Sequence, residues 1–130
     1  MKHGSILGTG VDIVENRRIK QMLAKWGGKF KNRVFLKKEQ VYCEGKAEPA
    51  MHYAARFALK EAVSKAFGTG MGKHISWLDV EVINDPETGA PTASLSGNAK
   101  KLAKKRKVDK ILVSLSHTKE YSLAQALLLK

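Results

Sequence analysis

The chain has 130 residues, 43% of them hydrophobic, and this length and composition predict a single globular domain covering residues 1–130. Its 24 Lys and Arg residues outnumber its 12 Asp and Glu residues, so the formal net charge is +12. A field of that sign attracts nucleic acid, an anionic membrane surface, an acidic protein or a phosphorylated small molecule, and by itself it does not choose among them.

Other features of the sequence exclude whole classes of protein. No apolar run approaches the roughly 18 residues of a membrane span, so we expect no membrane-spanning segment. The N-terminal residues, Met1-Lys2-His3-Gly4, lead into a glycine-containing stretch instead of the apolar core of a secretion signal. The single cysteine, Cys43, cannot form an intramolecular disulfide, so we expect a cytoplasmic location.

The first part of the chain is predicted to form a strand and an amphipathic helix. Residues 6–14 contain β-branched side chains and two glycines, which predict a short strand with Asp12 near its end. Within residues 15–26 the apolar side chains recur at i, i+3, i+4 and i+7, the pattern of a helix with a basic outer face. Gly27-Gly28 ends this helix, and the less regular stretch 30–45 predicts one or two short helical turns.

The strongest helical pattern lies in the middle of the sequence. Glu48-Pro49 marks a helix start, because proline suits the first turn. From residue 54 to residue 67, pairs of apolar residues recur every four positions, and many of them are alanines that allow close packing. The glycines that follow, beginning with Gly68, can take the left-handed conformation that ends a helix.

The second half changes to the two-residue period of strands. Leu78, Val80 and Val82 alternate with acidic residues and predict a strand with one buried face. A turn-rich connection at 85–91 leads to a returning strand at 92–96.

The C-terminal region is predicted to contain one more helix and a hairpin. Asn98 is a candidate cap for a lysine-rich helix at 99–107, and the runs 111–116 and Tyr121–Leu129 predict a closing hairpin. The order of elements predicts an α+β domain in which a mostly antiparallel sheet packs on the long helix.

Two glycine-containing stretches fail as nucleotide-binding motifs. Gly8-Thr9-Gly10 lacks a third glycine at Ile13, and Gly72-Lys73 lacks both the upstream glycine and the following Ser or Thr of a P-loop. No His pairs with a second His or with the Cys at the spacing of zinc ligands.

Two carboxylates on different elements are candidates for chemistry. Asp12 can be a cap or turn residue, and Glu61 can form an i,i+4 ion pair with Lys65 worth about 0.3–0.5 kcal/mol. Alternatively the two carboxylates form an oxygen site for Mg²⁺, which proteins commonly hold with one or two carboxylates plus substrate phosphates. Spacing alone leaves both interpretations open.

Three longer motifs resemble those of one enzyme family. They are GTGVDIVE at 8–15, RFALKEAVSKAFGTG at 56–70 and SLSHT at 114–118. They occur in the family's order with similar separations and span almost the whole chain. The sequence thus resembles the holo-acyl-carrier-protein synthase family, which implies a 4'-phosphopantetheinyl transferase-like fold.

The resemblance also implies an activity and a set of site residues. The activity is Mg²⁺-dependent transfer of the 4'-phosphopantetheine arm of coenzyme A to a serine of an acyl carrier protein, in fatty acid biosynthesis, with adenosine 3',5'-bisphosphate as the other product. By analogy Asp12 and Glu61 ligate Mg²⁺, and Lys65 offsets charge on the phosphates. The positions that match coenzyme A contacts are Arg56, Lys65, Gly68, Pro91, His117 and Thr118. The serine proton can pass to Glu61 or to a metal-bound water, and the sequence leaves both open.

The family resemblance further implies a homotrimer with active sites at subunit interfaces. An acidic carrier protein would be attracted by the basic first helix, where Arg17, Arg18 and Lys25 are the candidate docking residues. The alternative function is RNA binding, because residues 97–105 resemble the basic helix of double-stranded-RNA-binding domains. That helix normally closes its domain, whereas two predicted strands follow it here, and the sequence has no aromatic strand for base stacking, so we expect no nucleic-acid partner.

Overall fold

Five strands and five α-helices make up the described part of the chain. The computed structural model describes residues 5–130, so Met1–Gly4, the residues used above to argue against a secretion signal, lie outside it. The elements in chain order are β1 (Ile6–Glu15), α1 (Asn16–Trp26), α2 (Gly28–Val34), α3 (Lys37–Glu44), α4 (Pro49–Ala66), β2 (Val80–Asn84), β3 (Pro91–Leu95), α5 (Gly97–Lys105), β4 (Lys110–His117) and β5 (Tyr121–Leu129). The predicted α+β class is confirmed.

The strands form two antiparallel sheets. β5 lies between β1 and β4 in a three-stranded sheet, while β2 and β3 form a separate hairpin. β3 packs near β4, but no hydrogen-bonded ladder joins them. The predicted antiparallel pairing and the closing hairpin are therefore confirmed, with the sheet divided in two.

Helix α4 packs across the three-stranded sheet at unusually short range. A Cβ atom added to Gly8 would lie 2.0 Å from the carbonyl oxygen of Ala66, and one added to Gly10 would lie 2.0 Å from that of Ala62. Only glycine fits at these two positions, and the alanines of α4 are small enough to complete the contact. This close approach holds the neighbouring Asp12 beside the helix.

A buried ion pair joins α3 to α4 in the core. Lys60 Nζ donates to Glu39 Oε1 at 2.7 Å and to the carbonyl oxygens of Val34 (2.7 Å) and Trp77 (3.0 Å). Glu39 Oε2 accepts the Val82 backbone N–H at 3.0 Å. Burial lowers the pKa of Lys60, and the adjacent Glu39 carboxylate opposes that shift. Each charge is stabilised only while the other is present.

Several element boundaries differ from the sequence-based predictions. The irregular stretch 30–45 contains two helices, α2 and α3. Leu78 lies in a 3₁₀ turn, Trp77–Asp79, in which the Asp79 carboxylate accepts the Ser76 backbone N–H.

The predicted cap of the lysine-rich helix is also wrong. Ser96, not Asn98, occupies the N-cap position of α5, because the Ser96 backbone N–H is fixed by the Asp79 carbonyl oxygen at 2.9 Å.

The face of the three-stranded sheet that points away from α4 is uncovered and carries several exposed apolar side chains beside polar ones such as Gln125. We call it the outer sheet face; it carries Val11 (57% exposed), Ile13 (63%), Leu112 (42%) and Leu123 (42%). Between residues 5 and 130, none of the helices combines the length and the apolar composition needed to cross a bilayer.

Candidate functional site

Asp12 and Lys65 meet where β1 crosses α4. The Lys65 Nζ atom donates a hydrogen bond to Asp12 Oδ1 at 2.8 Å, with side-chain exposures of 49% for Lys65 and 13% for Asp12. This hydrogen bond raises the pKa of the Lys65 ammonium. The i,i+4 ion pair considered for Lys65 and Glu61 does not form, because Lys65 is drawn to the carboxylate on the neighbouring strand.

Glu61 lies in the same cluster on α4. Burial raises the pKa of its carboxyl group above the usual range, and the charge of Asp12 raises it further. The positive charges of Lys65 and Arg18 oppose the shift. The two carboxylates predicted to be neighbours are therefore close enough to repel each other. We call Asp12, Glu61 and Lys65 the carboxylate cluster.

The donor set of this cluster suits a hard divalent cation. Residues 5–130 contain no group of three metal-ligating side chains, so the protein can supply the oxygens of Asp12 and Glu61 and no further side-chain ligand of that kind. Mg²⁺ commonly accepts one or two carboxylates and completes its octahedron with water and substrate phosphates. A bound cation would also remove the repulsion between the two carboxylates.

Gly68 follows the last turn of α4, on the same end of the helix as Lys65. Its φ of +77° is the left-handed conformation predicted for this glycine, and its backbone N–H donates to the Lys65 carbonyl oxygen at 2.8 Å. An added Cβ at Gly68 would meet no atom within 4 Å. The requirement for glycine here is conformational, and open space lies beside the backbone.

Arg56 and Pro91 are joined through Asn84 on another side of the molecule. Arg56 is 4% exposed, and its Nη2 donates to Asn84 Oδ1 at 2.7 Å while its guanidinium lies 4.1 Å from the centre of the Tyr42 ring. Pro91 pairs with Asn84 across the β2–β3 hairpin. The Arg56 Nε atom is buried with no hydrogen-bond partner in the described structure.

His117 ends β4 and Thr118 begins the turn to β5. Asn16, at the start of α1, donates from Nδ2 to the Thr118 carbonyl oxygen at 3.0 Å and accepts the Ser122 hydroxyl at 2.7 Å. His117 lies near enough to His52 on α4 that its charge contributes to the lowered pKa of His52. We call Arg56, Pro91, His117 and Thr118 the Arg56 group.

The carboxylate cluster and the Arg56 group lie apart within one chain. Arg56 and Lys65 are nine residues apart on α4, which places them about 180° apart around the helix axis. β1 and β4 form opposite edges of the three-stranded sheet, separated by β5, a distance of about 9–10 Å. The predicted site residues therefore form two separate sets.

The predicted docking residues on α1 are all exposed but do not share one face. Arg18 and Lys25 are seven residues apart and lie on the same side of the helix, and Arg18 is close enough to Glu61 to affect its pKa. Arg17 points to another side, where it lines a cleft of about 800 Å³ with Lys20 and Lys119.

An apolar groove adjoins the side of α1 that carries Arg18 and Lys25. Its volume is about 440 Å³. The residues that line it are Met22, Trp26, Lys29, Phe30, Arg33, Val34, Phe57 and Trp77. Phe57 and Trp77 stack at 4.8 Å between ring centres, so the wall of the groove is rigid and aromatic.

Sequence reasoning missed the residues that position these side chains. Asn16 falls within the predicted helix 15–26 with no special role, and no role was predicted for Asn84. A polar residue directly between a strand and a helix, or at the mouth of a hairpin, is a signal for such a role, because amide side chains satisfy turn backbone groups. The contact of Asn16 with Thr118 joins residues 102 positions apart, which no local pattern reveals.

Comparison with known proteins assigns the chain to a family. A family model described as the 4'-phosphopantetheinyl transferase superfamily matches residues 8–126. A curated relative from Protochlamydia amoebophila, named holo-[acyl-carrier-protein] synthase, is 48% identical over 120 residues, covering 92% of this chain and 95% of the relative.

Solved structures agree with this assignment. The holo-[acyl-carrier-protein] synthase from Neisseria meningitidis superposes with a TM-score of 0.89 at 28% identity, covering 97% of this chain and 100% of that one. The enzyme from Bacillus anthracis, in complex with CoA (3',5'-ADP), has a TM-score of 0.81 at 38% identity, covering 96% and 97%. By fold and sequence, the chain belongs to the 4'-phosphopantetheinyl transferase superfamily, and within it to the holo-[acyl-carrier-protein] synthases.

Proposed function

We propose that this phosphopantetheinyl transferase moves the 4'-phosphopantetheine group of coenzyme A to a serine of an acidic acyl carrier protein, in a Mg²⁺-dependent reaction of fatty acid biosynthesis. The serine oxygen forms a bond to the phosphorus of the pantetheine phosphate, and the bond to the adenosine 3',5'-bisphosphate leaving group breaks. The observation that carries the proposal is the convergence of Asp12, Glu61 and Lys65 at the crossing of β1 and α4.

Each member of the carboxylate cluster has a role in this reaction. Asp12 and Glu61 would hold Mg²⁺, and the bound ion would neutralise charge on the diphosphate of coenzyme A. Lys65, whose raised pKa keeps it protonated, places a second positive charge beside the diphosphate. The serine proton passes to Glu61 or to a metal-bound water, the two acceptors that the sequence allows.

The Arg56 group and Gly68 bind the rest of coenzyme A. The relative from Bacillus anthracis, which was solved with CoA (3',5'-ADP), supports coenzyme A as the ligand. Gly68 offers backbone next to the carboxylate cluster, and Arg56, Pro91, His117 and Thr118 take the adenosine and its 3'-phosphate. The buried Nε of Arg56 lies 3.9 Å from Glu39 Oε2 in an ion pair but makes no hydrogen bond, so it is a donor that an ordered water or a phosphate oxygen could satisfy.

The enzyme works as a homotrimer in which two subunits build each site. The outer sheet face leaves Val11 and Ile13 more than half exposed, an arrangement that isolated soluble domains avoid and subunit contacts remove. Asp12 lies on one edge strand of the sheet and His117 ends the other, while Lys65 and Arg56 lie on opposite sides of α4, so a ring of copies brings the cluster of one subunit to the Arg56 group of the next.

The carrier protein docks on α1. Arg18 and Lys25 present positive charge along one side of this helix, and Arg18 also lies near Glu61, so an acidic surface held there delivers its serine to the carboxylate cluster. Arg17 extends the basic surface towards α4.

We place the enzyme in the reducing cytoplasm. The single cysteine, Cys43, is buried, and burial raises its pKa to about 12, so it is a stable thiol there.

The decisive experiment incubates the chain with coenzyme A, Mg²⁺ and an apo carrier protein and measures by mass spectrometry the group added to the serine. Glu61→Gln should lower the rate about 100-fold or more, because it removes one charged metal ligand. Its thermal midpoint should stay at or above that of the unchanged chain, since the substitution removes the repulsion between Asp12 and Glu61.

A matched control is Glu87→Gln, which changes an exposed carboxylate in the β2–β3 turn. This variant should keep full activity. If Glu61→Gln is as active as Glu87→Gln, Glu61 is not a metal ligand and the proposed mechanism is wrong.

A further inference from the structure

A groove rich in lysine lies between α5, β3 and β4, where β3 of one sheet and β4 of the other are not joined by a hydrogen-bonded ladder. Its volume is about 750 Å³. The lysines that line it are Lys100, Lys104, Lys107, Lys110 and Lys130. Among the described lining residues Asp109 is the one acidic side chain, and none of the five lysines takes part in an ion pair found within residues 5–130. We call this feature the lysine groove.

The lysines lie on both sides of an elongated trough. Lys100 and Lys104 are one turn apart on one side of α5, and Lys107 lies just beyond the end of that helix. Lys110 and Lys130 lie across from them on the β4–β5 side. The remaining wall is largely apolar and is formed by Ala93, Leu95, Ala103, Val108 and Ile111. Such a trough matches an extended anion with several charges better than a single ion.

The backbone at Lys107 gives independent evidence for a role of this groove. Lys107 has φ = +60°, and it is the non-glycine residue with positive φ within the described chain. The Lys107 N–H donates to the Lys104 carbonyl oxygen at 3.1 Å, and the Val108 N–H to that of Ala103 at 2.8 Å. These two bonds define the helix-ending motif whose left-handed position is normally glycine. A lysine there is less favourable than a glycine, and its side chain adds a cation to the groove.

The lysine groove is separate from the transferase residues of the same chain. Lys110 begins β4 and His117 ends it, which puts them about 24 Å apart at the rise of an antiparallel strand. β4 is also the sheet edge opposite β1, which carries Asp12. An anion in the groove therefore does not occupy the carboxylate cluster or contact His117.

We propose that the lysine groove binds a linear polyphosphate, a chain of adjacent phosphate groups without bases. Lysine neutralises phosphate as a point charge and needs no particular orientation, so five lysines along a trough suit a repeating anion. The described lining residues include no aromatic side chain on which a nucleobase could stack and no Asn or Gln to bind its edge. Lysines on both sides of the groove therefore suit a chain of phosphates, and no described lining side chain is of the aromatic or amide kind that would recognise a base.

Calorimetric titration of the full chain with inorganic tripolyphosphate, without divalent cations, tests the proposal. We expect saturable binding that weakens as salt rises, because each phosphate contact displaces bound counterions. Lys100→Ala/Lys104→Ala should weaken binding about tenfold or more, the loss of two charge-assisted contacts.

The matched control is Lys101→Ala/Lys105→Ala. These lysines lie on the same helix but line a different cleft, next to His74. The control should bind within about twofold of the unchanged chain, since it loses the same net charge without losing a groove lysine. If both double variants lose the same affinity, the attraction comes from the overall charge of the protein and the assignment of the groove is wrong.

The variant Lys107→Gly tests whether the Lys107 side chain contributes to anion binding. Glycine relieves the left-handed strain, so the thermal midpoint should rise by about 2–5 °C. The affinity for tripolyphosphate should fall in the same variant. A rise in stability with unchanged affinity would show that Lys107 does not belong to the site.

A comparison with a short RNA duplex tests the choice of polyphosphate. If the duplex binds more tightly than tripolyphosphate at equal phosphate concentration, and its binding depends equally on Lys100 and Lys104, the ligand is nucleic acid and the choice of polyphosphate is wrong.

Discussion

At the scale of single residues, the distinguishing feature is that the Lys65 ammonium pairs with only one of the two neighbouring carboxylates. Lys65 hydrogen-bonds to Asp12, and Glu61 is left with a raised pKa because burial and the charge of Asp12 outweigh Lys65 and Arg18. The motif resemblance predicted that the two acids lie together. The partner of Lys65 could not be predicted, because Asp12 is 53 positions away while Glu61 is one helical turn away.

His52 gives a residue-scale prediction about pH. Burial lowers its pKa below the ordinary value of 6.5, and the charges of Lys46, His117 and Arg56 lower it further. Below pH 6.5 the unfolded chain therefore binds a proton at this residue that the folded chain does not yet bind. Stability should fall as the pH drops from 6.5 through the folded-state pKa and become constant again below it.

The measurement compares thermal midpoints of the unchanged chain and His52→Gln at about pH 7.5 and about pH 5.5. Gln keeps a polar side chain of similar size but cannot titrate. The variant should lose less stability on acidification than the unchanged chain. Equal losses would mean that His52 has the same proton affinity in the folded and unfolded states.

At the scale of elements, the strongest local patterns were predicted best. The four-residue recurrence of apolar pairs predicted α4 to within a few residues at its C-terminal end, and the runs 111–116 and 121–129 predicted the closing hairpin of β4 and β5. The short helical turns predicted within 30–45 are confirmed by α2 and α3, but the bounds of α3 were not predicted, because its stability depends on distant contacts. Its buried Glu39 accepts the Val82 backbone N–H and pairs with Lys60.

The contact between β1 and α4 allows a direct test of how an element positions the site. Gly10→Ala places a methyl group 2.0 Å from the Ala62 carbonyl oxygen, so the strand must move away from the helix. We expect a loss of about 3 kcal/mol or more in the free energy of unfolding, measured with urea. Transferase activity should fall as well, because Asp12 moves with the strand.

Gly28→Ala is the control for this substitution. The nearest atom to its added Cβ is Asn32 Nδ2 at 3.9 Å, and alanine favours the first turn of α2. This variant should be as stable as the unchanged chain or slightly more stable. If Gly10→Ala unfolds at the same urea concentration as Gly28→Ala, the packing of β1 on α4 is looser than the glycine contacts imply.

Helix α1 carries a prediction about the carrier protein. Lys25→Glu reverses a charge on the proposed docking side without touching the carboxylate cluster. The KM for the carrier protein should rise about threefold to tenfold at low salt, while kcat changes little, because such charges act mainly on association. The dependence of KM on salt should also become flatter.

The same charge reversal at Lys101 on α5 is the control for Lys25→Glu. It should leave the KM for the carrier protein unchanged, since α5 lies outside the proposed docking side. A similar rise in KM for both variants would mean that the net charge of the protein, and not α1, attracts the carrier.

At the scale of the whole molecule, the separation of the two sets of site residues fits the proposed trimer, in which one chain alone would be an incomplete enzyme. The motif resemblance predicted the site residues as a single set, because a sequence resemblance does not say which residues come from which subunit. The fold places Asp12, Glu61 and Lys65 on one side of α4 and Arg56 on the other, with His117 at the far sheet edge. The uncovered outer sheet face then provides the surface on which copies can associate.

Subunit mixing tests this arrangement directly. Glu61→Gln lacks a working carboxylate cluster, and His117→Ala/Thr118→Ala lacks part of the Arg56 group, so each variant alone should be nearly inactive. If neighbouring subunits share each site, random trimers refolded from an equal mixture contain complete sites at about a quarter of their interfaces. Activity should then return to about a quarter of the unchanged value. A mixture that stays as inactive as its components, although it refolds to trimers, would place both sets of residues within one chain and contradict the shared site.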